Sequence, residues 1–145
     1  MKYKRPESVL VIVYTEASDV LMLRRKYPKD FWQSVTGSLE WDENSTQAAA
    51  RELQEETGIQ GLTLHDCEFA QNFEIYKIWR DRYEPGVTEN KEHVFLLKLP
   101  EKIDIQLDPR EHEEFMWLSK QGATDLAFSH TNQEAIQRWV PDANE

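Results

Sequence analysis

Apolar positions along the chain fall in dense runs separated by short polar breaks, and the breaks carry the turn residues. Residues Ser8–Thr15, "SVLVIVYT", form an unbroken apolar, β-branched run that predicts a buried strand. "DVLMLRRK" follows the turn-like "EAS" and predicts its partner strand, while "FWQSVTG" is a short extended segment leading to Gly37. Residues Asn44–Thr57 make the clearest helix: Asn44, Ser45 or Thr46 can cap it, alanines and Leu53 favour it, and Gly58 stands where a helix-ending glycine belongs. "LTLHDCEFAQNFEIYKIW" and "KEHVFLLKL" are two long strand-like segments, joined by "RDRYEPGVTENK" with its Pro-Gly turn signal. "FMWLS" is a further short strand, and Ser129–Val140 closes the pattern as an amphipathic helix with Ala135, Ile136, Trp139 and Val140 facing inward. Strands and helices do not strictly alternate, which predicts an α+β fold, a mixed sheet flanked by helices.

At 145 residues the chain is expected to be a single domain, 1–145, and its five Trp, five Tyr and six Phe supply a proper core. A net charge of −10 argues against a duplex-DNA partner, which needs a basic surface. It leaves room for an anionic small molecule that arrives with divalent cations. "MKYKRPESVL" has no apolar run of signal-peptide kind, and no stretch approaches the ~20 apolar residues of a membrane span, so a cytosolic location is expected and no membrane partner. The lone Cys67 excludes an internal disulfide and reads as a small core residue. His65, His93, His112 and His130 show no metal-ligand spacing and read as surface or strand residues.

The helix raises a difficulty of its own. Glu52, Glu55 and Glu56 fall within about 100° of one another on a 3.6-residue turn, so their carboxylates share a face. Each like-charge pair costs on the order of 0.2–0.5 kcal/mol. Glu55 and Glu56 also sit in the last turn, where the helix dipole disfavours negative charge by roughly 0.3–1 kcal/mol each. Charge alone reads as a solvated acidic face.

The spacing of the whole stretch points elsewhere. From Gly37, five residues lead to Glu43 and seven more to "RELQEETGI", Arg51 to Ile59. This resembles the signature of the Nudix hydrolase family, G-x5-E-x7-R-E-U-x-E-E-x-G-U with U aliphatic, at all nine defined positions. The box covers 23 of 145 residues. The resemblance implies an α/β/α sandwich and a Mg²⁺-dependent hydrolase (Mn²⁺ serving as well) that splits a phosphoanhydride. Carried onto this sequence it makes Glu52, Glu55 and Glu56 metal ligands, with Glu52 and Glu56 converging at i, i+4. Arg51 and Glu43 are expected to form an ion pair that fixes the loop to the helix. Glu56 is the first choice for general base, with Glu55 beside it. A further carboxylate is expected from "LDPREHEEFMWL", where Glu111 is preferred over Glu113 and Glu114. "EWDENS" lacks the glycine or proline common in this loop, and Trp41 is expected to pack onto it.

Pieces outside the box, "YKRPESVLVIVY", "FWQSVTGSLE", "FEIY", "NKEHVFLLKLP" and "NQEAI" among them, look like the subgroup of the family that removes pyrophosphate from dihydroneopterin triphosphate in folate synthesis. Hydrolysis of ordinary (deoxy)nucleoside triphosphates is the alternative, and a non-catalytic ligand-binding member of the fold is a third reading; the intact set of box glutamates argues against the last. A pterin triphosphate would meet Lys4 and Arg25 at its phosphates. Trp32, Phe73 and Tyr76 are candidates to stack on the ring, Glu74 to accept from its N–H groups, and Thr36 and Ser129 to donate from hydroxyls. Oligomeric state is not legible in the sequence.

Overall fold

The structure, a computed structural model, describes residues 2–143. Strand β1 (Glu7–Thr15) is followed by β2 (Asp19–Arg25), two short strands β3 (Trp32–Gln33) and β4 (Val35–Ser38), and helix α1 (Ser45–Thr57). Strand β5 (His65–Glu74) leads through a 3₁₀ turn at Lys77–Arg82 to β6 (Glu89–Leu99) and β7 (His112–Ser119), and helices α2 (Lys120–Leu126) and α3 (His130–Trp139) end the order. The sheet runs β3-β2-β1-β6-β5, with β4 paired to β1 and β7 to β2. The β1–β6 pair is parallel and the others antiparallel, so the sheet is mixed.

β1 reads as a continuous apolar run because both of its faces are covered. Val9, Val11 and Val13 pack with Ala48, Ala49 and Leu53 of α1, whereas Leu10, Ile12 and Tyr14 pack with Ala123 of α2 and Ala135 and Ile136 of α3. β2 and β6 divide their side chains in the same way, Leu21, Leu23, Phe95 and Leu97 to one core and Val20, Met22, Val94 and Leu96 to the other. The result is a layer of helix on each side of one sheet. Among the described residues no helix is long and apolar enough to cross a membrane.

α1 is set by its ends. The Asn44 side chain accepts from the Gln47 N–H at 2.8 Å and the Gln47 side chain accepts from the Asn44 N–H at 3.0 Å, a reciprocal capping box. Gly58, at φ 78°, stops the helix and sends its N–H to the Gln54 carbonyl.

Three local expectations need correction, and one helix was not expected. "FWQSVTG" is two strands with different partners, β3 on β2 and β4 on β1. The strand expected through "IYKIW" ends at Glu74 and gives way to the 3₁₀ turn, where Ile78 is exposed. "FMWLS" starts earlier, at His112, because β7 pairs with the length of β2. α2 had no expectation at all: "KQGATDL" has a mid-segment glycine and few apolar residues, and it is held by the Ser119 cap, whose side chain accepts from the Gly122 N–H, and by burial of Ala123 and Thr124. Cys67 is half-buried against the second core, and burial pushes its thiol up to about 11.

The left-handed stop at Gly58 gives a direct test. A Cβ there would meet Gln106 alone, its Cβ at 3.4 Å and its backbone nitrogen at 3.9 Å, both ordinary contacts, so the cost of Gly58→Ala lies in the left-handed backbone. A loss of about 1 kcal/mol is expected, read as a lower urea midpoint at an unchanged slope.

Candidate active site

Arg51 organises the signature segment. Its Nε and Nη2 bind the two oxygens of Glu43, each at 2.8 Å, and Nη2 also reaches the Ser38 carbonyl at 3.0 Å. This is the ion pair the sequence led one to expect, and it depresses the Glu43 carboxyl below its ordinary range. Nη1 binds Glu52 at 2.6 Å and Glu55 at 3.1 Å. Glu43 closes its own loop by accepting from the Glu40 N–H. From outside, Arg5 donates to the carbonyls of Glu40, Trp41 and Glu43. Trp41 is half exposed; its indole N–H reaches the Tyr3 carbonyl at 2.8 Å, so it ties the loop to the segment before β1.

Glu52 and Glu56 turn under the sheet while Glu55 stays exposed beside Arg51. Glu52 lies against Gly37 so closely that a Cβ on residue 37 would fall inside its carboxylate. That contact is why a glycine opens the signature. Glu56 is only 1% exposed, and among the described residues no donor reaches either of its oxygens; the polar group beside it is the Glu52 carboxyl. Burial first, then the Glu52 carboxyl, raises its pKa well above the ordinary value; the Thr36 backbone offsets a little of this without reaching hydrogen-bond geometry. Burial also raises Glu52, against the opposing pull of Arg51. A buried carboxylate without a partner is costly unless something cationic is to meet it.

His112 packs beside Glu56, its Nε2 3.8 Å from Glu56 Oε1 and 3.3 Å from the Gln33 amide nitrogen. It does open a strand, as a histidine of strand type should, but it is fully buried. Burial and then Arg25 push its pKa down to about 4, so it stands neutral at pH 7 and its contact with Glu56 is not a charge pair.

Above the carboxylates lies a cavity of about 710 Å³. Glu52, Glu55 and Glu111 border it at one side, and Lys4, Arg25 and Arg82 also line it. Desolvation by the surrounding walls and the charge of Arg82 lower the Lys4 ammonium; desolvation lowers Arg25, opposed by the charges of Glu111 and Glu56. The Lys4 N–H is fixed to the Arg82 carbonyl at 2.9 Å. A cationic wall thus faces an acidic ridge, an arrangement suited to an anion bridged by a divalent cation.

Of the residues expected to bind substrate, Lys4, Arg25, Thr36, Phe73, Glu74, Tyr76 and Ser129 line this cavity. Several have other engagements. The Thr36 hydroxyl donates to the Val9 carbonyl at 2.8 Å, Ser129 caps α3 by accepting from the Asn132 N–H, and Glu74 is paired with Arg80 at 2.6 Å. Trp32 does not line the cavity. It packs into the second core with Arg24 over its ring, because β3 turns Trp32 and Gln33 to opposite faces and Gln33 takes the cavity side. The aromatic wall is made instead by Phe31, Tyr76 and Trp79, with ring centroids 5.6 to 6.2 Å apart. Arg25 lies over Trp79 at 4.9 Å. Sequence reading missed Phe31, Trp79, Arg82, Asn90, Glu92 and His112, since each acts across strands or turns that no local spacing connects.

Among the described residues, no three His, Cys, Asp or Glu side chains converge tightly enough to hold a metal ion by themselves. The donor set is nonetheless that of a hard cation: the buried Glu56 carboxyl with Glu52 beside it, and Glu52, Glu55 and Glu111 on the cavity wall. Mg²⁺ is commonly held by one or two carboxylates, with water and substrate phosphate completing its shell.

Comparison with known proteins agrees with this geometry. The family model for the NUDIX domain matches residues 4–140. The chain is 45% identical to the dihydroneopterin triphosphate diphosphatase of Escherichia coli K12, covering 97% of this chain and 96% of that protein. It is 40% identical to the protein of the same name from Haemophilus influenzae, covering 97% and 90%. The solved structure of the E. coli dihydroneopterin triphosphate pyrophosphohydrolase superposes with a TM-score of 0.90, covering 97% of this chain and 98% of that one. An RNA pyrophosphohydrolase of Pelagibacter ubique is 29% identical over 80% of this chain. With its signature segment, sandwich fold and acidic ridge in place, the chain belongs to the Nudix family, whose members hydrolyse phosphoanhydrides and generally require a divalent metal.

Proposed function

We propose that the protein hydrolyses dihydroneopterin triphosphate to dihydroneopterin monophosphate and pyrophosphate, with Mg²⁺, or Mn²⁺ in its place, as the metal. The observation that carries the reading is one cavity bordered by the carboxylates of Glu52, Glu55 and Glu111 and by cationic and aromatic side chains, with the buried Glu56 carboxyl behind Glu52. Two relatives named for this reaction, 45% and 40% identical over 97% of the chain, support the choice of substrate.

Glu52 and Glu56 would hold the metal, with Glu55 and Glu111 completing the acidic group. When bound, the cation neutralises phosphate charge, polarises phosphorus and eases deprotonation of water. Lys4, Arg25 and Arg82 take the phosphate oxygens that the metal leaves. Arg25 is held in place for this by its donation to the Tyr27 carbonyl at 2.8 Å and by the Trp79 ring. Glu56, then Glu55 or Glu111, accepts the proton of the attacking water. One P–O anhydride bond breaks as the water oxygen bonds to phosphorus, and pyrophosphate departs from the pterin monophosphate. Arg51 and Glu43 act at one remove, by holding the loop and aiming Glu52. Phe73, Tyr76 and the Phe31–Trp79 pair supply flat faces for the ring.

Turnover in water enriched in heavy oxygen, with products identified by mass, tests the assignment. Dihydroneopterin monophosphate and pyrophosphate are expected, with the heavy oxygen in one of them only. A larger kcat/KM for dATP would transfer the assignment to nucleoside triphosphates, and no Mg²⁺-dependent pyrophosphate release from any triphosphate would leave a non-catalytic binding protein. Glu56→Gln is expected to lower kcat by two or more orders of magnitude, on the order of the effect of losing a general acid–base group, while far-ultraviolet circular dichroism stays unchanged. Glu43→Gln should cost less, acting through the loop.

The metal site has a reading independent of turnover. Mg²⁺ at about 100 times its Kd should stabilise the wild-type fold by roughly 2.7 kcal/mol, seen as a raised Tm, and Glu56→Gln should abolish that shift.

A further inference from the structure

The cavity also contains two polar side chains that the hydrolysis does not use. Asn90 and Glu92 sit two residues apart on β6, so they project from the same face, and both line the cavity while buried, at 1% and 5% exposure. Asn90 is oriented by its amide nitrogen, which donates to Ser8 Oγ at 2.8 Å; its oxygen, left on the other side, has no partner among the described residues. Glu92 accepts from the Gln71 amide at 3.0 Å on the neighbouring strand, with the Thr131 side chain as a second donor beside it, and among the described residues it makes no ion pair. Burial without a cation pushes its carboxyl up to about 7. Two buried acceptors therefore share a wall with more lone pairs than the protein supplies donors. Phe73, cross-strand from Asn90, and Tyr76 bound the same space with aromatic faces. Glu74, the carboxylate that sequence reading offered for this task, is exposed and engaged by Arg80.

We propose that Glu92 and Asn90 form the edge that recognises the heterocycle, by accepting from a ring that presents adjacent ring N–H and exocyclic amino donors, the 2-amino-4-oxo pyrimidine edge shared by pterins and guanine. The identification rests on the triphosphate hydrolysis proposed above and adds to it the residues that select the ring. The Glu92 carboxyl takes the paired N–H and amino donors, as a carboxylate does for any two parallel donors. Asn90 takes a further donor from the same molecule along the strand. Adenine and cytosine set a ring nitrogen acceptor beside the amino group, so one of their atoms would face a Glu92 oxygen lone pair to lone pair. Uracil offers one donor where the site wants two. Selectivity then comes as much from rejection as from attraction.

The test compares pyrophosphate release from dihydroneopterin triphosphate, GTP, ATP and CTP by the wild type, Glu92→Gln and Asn90→Ala, together with calorimetric binding of dihydroneopterin and adenosine, which carry no phosphate. In Glu92→Gln the ratio of kcat/KM for dihydroneopterin triphosphate to that for ATP should fall at least tenfold, through KM rather than kcat, and the ratio for GTP to ATP should fall with it. Asn90→Ala should move both ratios in the same direction by less, and keeps the test open should Glu92→Gln not fold. Wild-type protein should bind dihydroneopterin in preference to adenosine, and Glu92→Gln should lose that preference. Ratios within twofold of wild type, or an equal loss for all four triphosphates, would overturn the recognition role and leave the hydrolysis standing. Absence of turnover with every triphosphate, beside an intact Glu92-dependent preference for dihydroneopterin, would overturn the hydrolysis and leave the recognition standing.

Discussion

The grip of one guanidinium on three carboxylates and a carbonyl is what the rest of the site hangs from. Arg51 holds Glu43 at both oxygens, the Ser38 carbonyl and Glu52. Through these it joins helix, loop and β4 into one unit. A planar five-donor group can do this where a lysine could not, because several acceptors must be met at once in fixed directions. It also compensates for like charge in the helix that bears it. Glu52 and Glu55 each receive one of its hydrogen bonds, and Glu56, out of its reach, is the carboxylate left bare. The helix is thus stable enough to form and yet unsatisfied at one point, beside the Glu52 that lines the cavity.

The sheet serves the site by separating it from the cores. β1 sends alternate residues to opposite layers, so both faces of the central strands are used up in packing. The open volume is left to the polar and aromatic groups that β4, β6, the 3₁₀ turn and the segment before β1 bring to one cavity. The walls of that cavity combine the carboxylates of Glu52, Glu55 and Glu111, the cations Lys4, Arg25 and Arg82, the aromatic rings of Phe31, Tyr76 and Trp79, and the Asn90–Glu92 pair.

Local sequence carried the acidic helix well. The Asn44 cap, the Gly58 stop and the Arg51–Glu43 pair all lie within a few turns of one another, where spacing and helix geometry decide contacts. Legibility failed where contacts are made across strands. Trp32 was expected to stack on a ligand, but the face on which a two-residue strand presents its side chains depends on pairing that no short window records. Glu92 reads as one charge among many in "NKEHVFLLKLP" until parallel pairing with β1 and antiparallel pairing with β5 bury it. Conversely, Glu74 is acidic and near aromatics in sequence, yet Arg80, six residues on, takes it. α2 was invisible because its stability lies in a cap and two buried residues rather than in helical propensity.

The stretch ahead of β1 has a consequence for anyone handling the protein. Tyr3 anchors the Trp41 indole, Lys4 is stitched to Arg82, and Arg5 spans three carbonyls of the loop before α1. Leading residues are usually the most expendable part of a domain, open to trimming or to the attachment of a purification handle. Here they tie the loop before α1 and the 3₁₀ segment to one another, so clipping them would leave the core strands intact while slackening the cavity wall that carries Lys4 and Arg82. A preparation that had lost them to a protease would still melt cooperatively and give an ordinary spectrum, and its defect would show only at the bench where substrate is added.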